Sequence, residues 1–228
     1  MPLYFDSTML LLIPAIILSL YAQSKVKSTY NIYSREGLQS GMTGAQVARM
    51  VLDRSGLQNV EIERVAGNLT DHYDPRTKVL RLSDEVYSRP TIASAGVAAH
   101  EAGHAIQDQM EYAPLKLRSF MVPFASFGSK FSMIIIIVGL IFRFVGLIDL
   151  GIILFSMVVL FQLFTLPVEF NASSRALAVL GEYQILSVEE VPKAKKVLDA
   201  AALTYVAAAF SSIMTLVRLL VHRDRRKS

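Results

Sequence analysis

The chain has 228 residues, 53% of them hydrophobic and 18% charged, with a formal net charge of +4 and a mean hydropathy of +0.42. Its polar residues gather between about Gln23 and Arg118, and the second half carries apolar runs too long for a water-soluble core of this size, which points to a membrane protein. With no cysteine, disulfides, iron–sulfur clusters and thiolate zinc sites are excluded. The basic residues are scattered apart from a juxtamembrane "HRDRRKS" tail, so the bilayer is the expected partner and nucleic acid is not.

The first apolar segment, Ser7 to Ala22, lacks a positive leader and a small-residue cleavage site, and reads as an uncleaved anchor that Pro14 would kink. The polar stretch after it alternates helix and strand signals. "TGAQVARMVLDRSG" opens on a capping Thr43, spaces Val47, Met50 and Val51 as a helix does, and stops at Gly56. "VEIERV" alternates like a strand, and "LTDHYDPRTKVLRLS" reads as a hairpin turning at Asp74 to Thr77. An alanine-rich helix follows Pro90. Apolar segments at about Phe124–Phe144 and Ile148–Pro167 are separated by a few residues, which predicts a tight helical hairpin with both outer ends on one side of the membrane. The last segment, Ala201–Val221, is long enough to cross, but its Thr204, Tyr205, Ser211 and Ser212 also suit packing against the hairpin.

Within the alanine-rich helix lies "HEAGH", residues 100–104, in a chain that has only four histidines. Residues four apart share a helix face, so His100 and His104 can direct ring nitrogens at one ion, while Glu101 lies about 100° around the helix, beside the ion. There it can act as general base on a water whose pKa the metal lowers, the mechanical content of the H-E-x-x-H zinc protease motif. Gly103 and Ala99 are read as leaving room around the ion. A catalytic zinc takes three protein ligands and keeps one open position. The available candidates are His72, His222, Asp108, Glu111 and Glu169. Asp108 shares a helix face with His104 but lies two turns from His100. Glu169 follows the third apolar segment, and the hairpin returns it to the side of the polar insert, which makes it the expected third ligand. Asn171 and Ser173 then become candidate hydrogen-bond partners of the ligands, and Arg175 a charge-balancing or substrate-binding residue.

Several longer stretches go beyond this motif: "VAAHEAGHAIQ", "YAPLKLRS", "PFASFGS", "LFQLFTLPVEFNAS" and "KKVLDAAALTYVAA". With the anchor and "LTDHYDPRTKVLRLS", they make nearly the whole chain resemble the YugP-type family of bacterial membrane-bound neutral zinc metallopeptidases. The resemblance implies Zn2+ held by His100 and His104, with Glu101 catalytic. The downstream glutamate is similar to that of HtpX-like and prenyl-protein membrane proteases, although Ser173 stands where their Glu-x-x-x-Asp pattern has aspartate. Proteases of that arrangement bind extended peptides along a sheet edge, a place the hairpin would supply, with His72 or Tyr73 then able to reach the oxyanion.

The expected fold is therefore a mainly α membrane protein of three to four transmembrane helices with an inserted small α+β zincin-like domain that carries the HExxH helix. Its parts are an anchor at 1–23, the polar insert at 24–118, a transmembrane hairpin at 119–167, a helix with the third ligand and an amphipathic connection at 168–200, and a membrane-crossing or membrane-packed helix with its basic tail at 201–228. The expected function is a membrane-anchored zinc endopeptidase acting on protein or peptide substrates from the bacterial cell membrane. The lack of positive charge before the first helix and the lysines after it favour a cytoplasmic active site. The alternative from another class is a non-catalytic zinc-binding membrane scaffold, against which stands the count of three good ligands where a structural site closes with four. The sequence carries no signal for oligomeric state.

Overall fold

The computed structural model describes residues 7–224, so the last four residues of the basic tail lie outside the described residues. A 3-10 turn at Ser7–Leu12 leads into α1, Ile13–Tyr33. Pro14 sits in the first turn of α1, where its missing N–H costs no hydrogen bond, so the kink expected from it is replaced by a helix start. α2, Gly44–Arg54, begins on a complete capping box: Thr43 Oγ accepts from the Gln46 N–H, and Gln46 Oε1 accepts from the Thr43 N–H.

Three strands follow, β1 (Glu61–Val65), β2 (His72–Asp74) and β3 (Val79–Ser83), in the spatial order β1-β3-β2. β2 and β3 form the expected hairpin. Asp74 organises its turn by accepting from the Arg76 N–H and the Thr77 hydroxyl, and these donors hold its carboxyl below the usual carboxylate range. β1 pairs with β3 in parallel. This leaves β2 at an edge of the sheet, next to the helix that carries the HEAGH sequence.

A short helix α3, Asp84–Ser88, precedes α4, Ile92–Gln109, which Thr91 caps by accepting from the Ser94 N–H. α4 is the buried axis of the polar half. Its Ile92, Ala95, Ala98, Ala99 and Ala102 are wholly inaccessible, packed with Val47, Val51 and Leu52 of α2, Leu80 and Leu82 of β3, and Ala176, Leu180, Ala194 and Leu198 from further along the chain. The insert thus shares its core with the ends of the helices that return from the membrane. Alanine on α4 suits this position, because small side chains let helices close in on both sides of it.

α5 (Ala113–Ile141) and α6 (Val145–Glu182) form the predicted hairpin, joined by three residues with Arg143 in the left-handed region at φ 54°. α7, Val191–Asp224, runs back along it. The helices continue several turns beyond the apolar segments, so each membrane element rises directly into the polar half. Glycines set the α5–α6 spacing: a Cβ on Gly139 would stand 2.9 Å from the Ile148 backbone N. On the outside, Phe120, Phe124, Phe127, Phe131, Ile134, Ile137 and Ile141 form an exposed apolar stripe along α5, a surface that only lipid covers without cost.

Among the described residues, four helices are long and apolar enough to cross a membrane: Thr8–Tyr33, Ala113–Ile141, Val145–Glu182 and Val191–Asp224. Polar contacts tie the far end of α7 to that of α6 and to the 3-10 turn that leads into α1. Arg223 Nε donates to Asp149 Oδ1 at 2.6 Å, and His222 Nε2 lies 3.0 Å from Thr8 Oγ1. α7 therefore spans the whole height of the hairpin, and its Ser211 meets Ser19 of α1 at 3.1 Å midway.

Candidate metal centre

α4 presents His100 and His104 on one face, and α6 places Glu169 directly opposite. Glu169 Oε2 lies 3.2 Å from His100 Nε2 and 3.6 Å from His104 Nε2, and the three candidate ligand atoms all fall within 4.8 Å of one another. Two donors about 2.1 Å from a tetrahedral zinc stand about 3.4 Å apart, so this spacing fits such an ion. The donor set suits it too: two imidazoles and one carboxylate leave one tetrahedral position open. Glu169 is 2% exposed, and a buried carboxylate demands compensating positive charge.

Close approach of α6 to α4 depends on Gly103. A Cβ there would lie 2.8 Å from the Ala172 carbonyl oxygen, so the glycine makes room for the α6 backbone rather than for the ion, which corrects the expectation from sequence. Pro167, two residues before Glu169, lies inside α6 without ending it.

Both imidazoles are held by their other nitrogen. His104 Nδ1 donates to Gln107 Oε1 at 3.0 Å, and His100 Nδ1 lies 3.1 Å from Ser173 Oγ, which leaves each Nε2 toward Glu169. Gln107 donates in turn to the Val168 carbonyl at 2.8 Å and to Asn171 Oδ1 at 2.9 Å, and Arg175 Nε donates to the same Asn171 oxygen at 2.8 Å. Ser173 thus meets a candidate ligand histidine directly, whereas Asn171 and Arg175 connect to one only through Gln107. Burial disfavours a charged His104, but the hydrogen bond to Glu169 and the charges of Glu101 and Glu169 outweigh it and hold the ring toward its protonated form in the metal-free chain.

Glu101 is buried beside this triad, and its Oε2 accepts the Tyr73 N–H at 3.1 Å, so the edge strand β2 orients the candidate base. The Tyr73 phenol is committed elsewhere. It donates to Asp108 Oδ2 at 2.8 Å, and burial together with that bond pushes its pKa up, keeping it neutral. Asp108 also pairs with Lys78, so it is not a third ligand. His72 is exposed on β2 with Nδ1 donating to the Thr70 carbonyl at 2.8 Å, and His222 lies at the far end of α7.

Three residues not anticipated from sequence complete the site. Gln107 links His104 to α6. Arg118, from the start of α5, reaches Glu169 Oε1 at 3.2 Å and fixes the carboxylate with its other oxygen toward the imidazoles. Tyr205, from α7, lines the same cavity as Glu101, His104 and Glu169. That cavity measures about 750 Å³ and is bounded on its other side by the β2–β3 turn and the first turns of α5. Gln107 stood one helical turn beyond His104 and Tyr205 was a polar residue inside an apolar segment, so both left a faint trace in the sequence.

Residues 8–224 match the family described as "Putative neutral zinc metallopeptidase". The chain is also 48% identical over 211 residues, 92% of its own length and 94% of the relative's, to the protein of Bacillus subtilis (strain 168) named "Putative membrane protease YugP". No solved structure matches the chain.

Proposed function

The chain belongs to the neutral zinc metallopeptidase family, and on that premise we propose that it is a membrane-anchored endopeptidase that hydrolyses peptide bonds of protein substrates with Glu101 as general base. The observation that carries this reading is the joint placement of a His-His-Glu set at zinc-ligand spacing and a buried carboxylate beside it, on the wall of one open cavity. Zinc bound by His100, His104 and Glu169 would supply a Lewis acid and a water acidified toward neutrality. Glu101, steadied at Oε2 by the Tyr73 N–H, is placed to accept a proton at its carboxylate and to return it to the departing amine. We assign the oxyanion contact to Tyr205, whose side chain lines the cavity beside Glu169, rather than to exposed His72 or to Tyr73, whose phenol donates to Asp108. Arg118 holds Glu169 in its ligand orientation. β2, an edge strand whose Tyr73 N–H serves Glu101, bounds the cavity, so an extended substrate would lie alongside it.

The active site is assigned to the cytoplasmic side. The site ends of the helices carry Lys25, Lys27, Arg35, Lys116, Arg118, Lys193, Lys195 and Lys196, more basic residues than the opposite ends carry. A reporter inserted in the Asp74–Thr77 turn should read as cytoplasmic and one fused after Ser228 as external; the reverse pattern would overturn this orientation.

The catalytic reading is tested by comparing zinc-loaded wild type with Glu101→Gln on an unfolded protein. The variant should keep its zinc and lose activity by about a hundredfold or more. Equal cleavage by both proteins would remove Glu101 from the chemistry, and zinc binding without cleavage by either would favour the non-catalytic scaffold.

A further inference from the structure

Resting on the peptidase reading, we infer that Asp108, with Lys78 beside it, is a positioning residue for catalysis that acts through Tyr73 to hold Glu101 in its working orientation. Three contacts carry this. The Tyr73 N–H donates to Glu101 Oε2 at 3.1 Å, the Tyr73 phenol donates to Asp108 Oδ2 at 2.8 Å, and the Lys78 ammonium pairs with that same Asp108 oxygen. Glu101 and Asp108 stand seven residues apart on α4, which puts them within about 20° of one face and about 10 Å apart along the axis. Tyr73 therefore spans two turns of α4, fastened at one end by its main chain and at the other by its ring. One contact alone would let β2 slide along the helix or swing about it; two fix both its height and its angle.

The fold stands without the second contact. The hairpin is already closed by the β2–β3 pairing and the Asp74 turn, and the sheet is already seated in the α4 core by wholly buried Leu80 and Leu82. What the Tyr73–Asp108 bond adds is the placement of one N–H opposite one carboxylate. Among the described residues, that N–H is the one hydrogen bond the Glu101 carboxylate accepts, so its orientation follows β2 directly. Lys78 points the same way. It follows the turn at φ 57°, in the left-handed region where glycine is free and a lysine is strained. Its N–H closes the turn on the Asp74 carbonyl at 2.9 Å, a bond that glycine would make equally well. What lysine adds over glycine at this position is the ammonium on Asp108, which pins the oxygen that the phenol meets.

The test uses the zinc-loaded full chain in detergent and an unfolded protein substrate, with kcat, KM and zinc affinity read separately. Tyr73→Phe removes the hydroxyl and keeps the ring, the strand and the N–H. It should lower kcat about tenfold, the order expected when a hydrogen bond to a charged group loses its alignment, with KM and zinc affinity within about twofold of wild type. Asp108→Ala should reproduce that loss, and Asp108→Asn, whose amide oxygen still accepts from the phenol, should bring kcat back to within about threefold of wild type. Lys78→Gly relieves the left-handed backbone, so thermal unfolding should stay close to wild type while kcat falls about two- to fivefold, the scale of a half-exposed ion pair. Wild-type kcat in Tyr73→Phe or in Lys78→Gly would overturn the inference. So would a change confined to KM, which makes these residues substrate contacts, or a zinc affinity that falls in step with kcat, which makes the clamp merely structural. Asp108→Asn as slow as Asp108→Ala would overturn it as well, because the charge and not the phenol's bond would then matter. Each of these leaves the peptidase reading standing; a zinc-loaded wild type that cuts nothing ends both.

Discussion

Replacing Gly103 by alanine should separate α6 from α4 and weaken zinc binding without touching a ligand. The added Cβ would stand 2.8 Å from the Ala172 carbonyl oxygen, against an ordinary carbon–oxygen contact of about 3.3–3.6 Å, so one backbone has to retreat by roughly half an ångström. Glu169 lies less than one turn before Ala172 on the same rigid helix and moves with it. Metal–ligand distances tolerate only about 0.2 Å, and overpacking of this kind costs about 1–3 kcal/mol. If at least 1.4 kcal/mol of that falls on the bound state, affinity drops by about tenfold or more. Competition with a chromophoric chelator on the detergent-purified protein measures the drop, and thermal unfolding of the metal-free chain measures what falls on stability. Gly96→Ala is the control on the same helix: its Cβ would meet Ala194 at 3.7 Å, an ordinary contact, so zinc affinity should be unchanged and the helix should gain up to about 1 kcal/mol. Wild-type zinc affinity and stability in Gly103→Ala would refute the close-approach argument.

Other outcomes follow from the polar contacts around the ligands. Gln107→Ala releases His104 Nδ1 and uncouples it from Asn171 and Val168, so zinc affinity should fall about 10–100-fold in the same chelator assay. Arg118→Gln leaves Glu169 Oε1 without its cation and should weaken zinc binding in the same direction, whereas Arg175→Gln, separated from His104 by Asn171 and Gln107, should have a smaller effect. Tyr205→Phe should lower kcat by about a hundredfold with zinc content and KM little changed, as expected for a donor that acts on developing charge; a rise in KM alone would make it a substrate-binding residue instead.

What the sequence disclosed follows from the range of the interactions involved. The Thr43 capping box, the Asp74 turn and the His100–His104 pair are each closed within four residues, so local chemistry announces them. Helix ends were less legible because three of them lack the glycine that usually marks them. Glu111, Arg143 and Gln184 adopt the left-handed conformation instead, stabilised by the Tyr112 N–H on Gln107, the Phe144 N–H on Gly139 and the Ile185 N–H on Leu180. Parallel pairing of β1 with β3 leaves no trace in the period of either strand. At the site, Glu169 could be inferred because a tight hairpin fixes where a chain re-emerges. Arg118 and Tyr205 arrive from two further helices whose rotation about their own axes depends on packing across the bundle, which no spacing within either helix encodes. Gly103 was visible as a small residue, but the backbone it accommodates lies 69 positions downstream, so the reason for its size emerged only from the packed structure.

The claim on which the account rests is that one zinc is held by two residues of α4 and one carried back across the membrane by α6. Zinc content and chelator-competition affinity of the detergent-purified chain, measured on wild type, His104→Ala and Glu169→Ala, test it most directly. The account predicts one zinc per wild-type chain and a loss of about a hundredfold or more in affinity for each variant, since a buried ligand is removed in each. Glu169→Ala that binds zinc as tightly as wild type would contradict it.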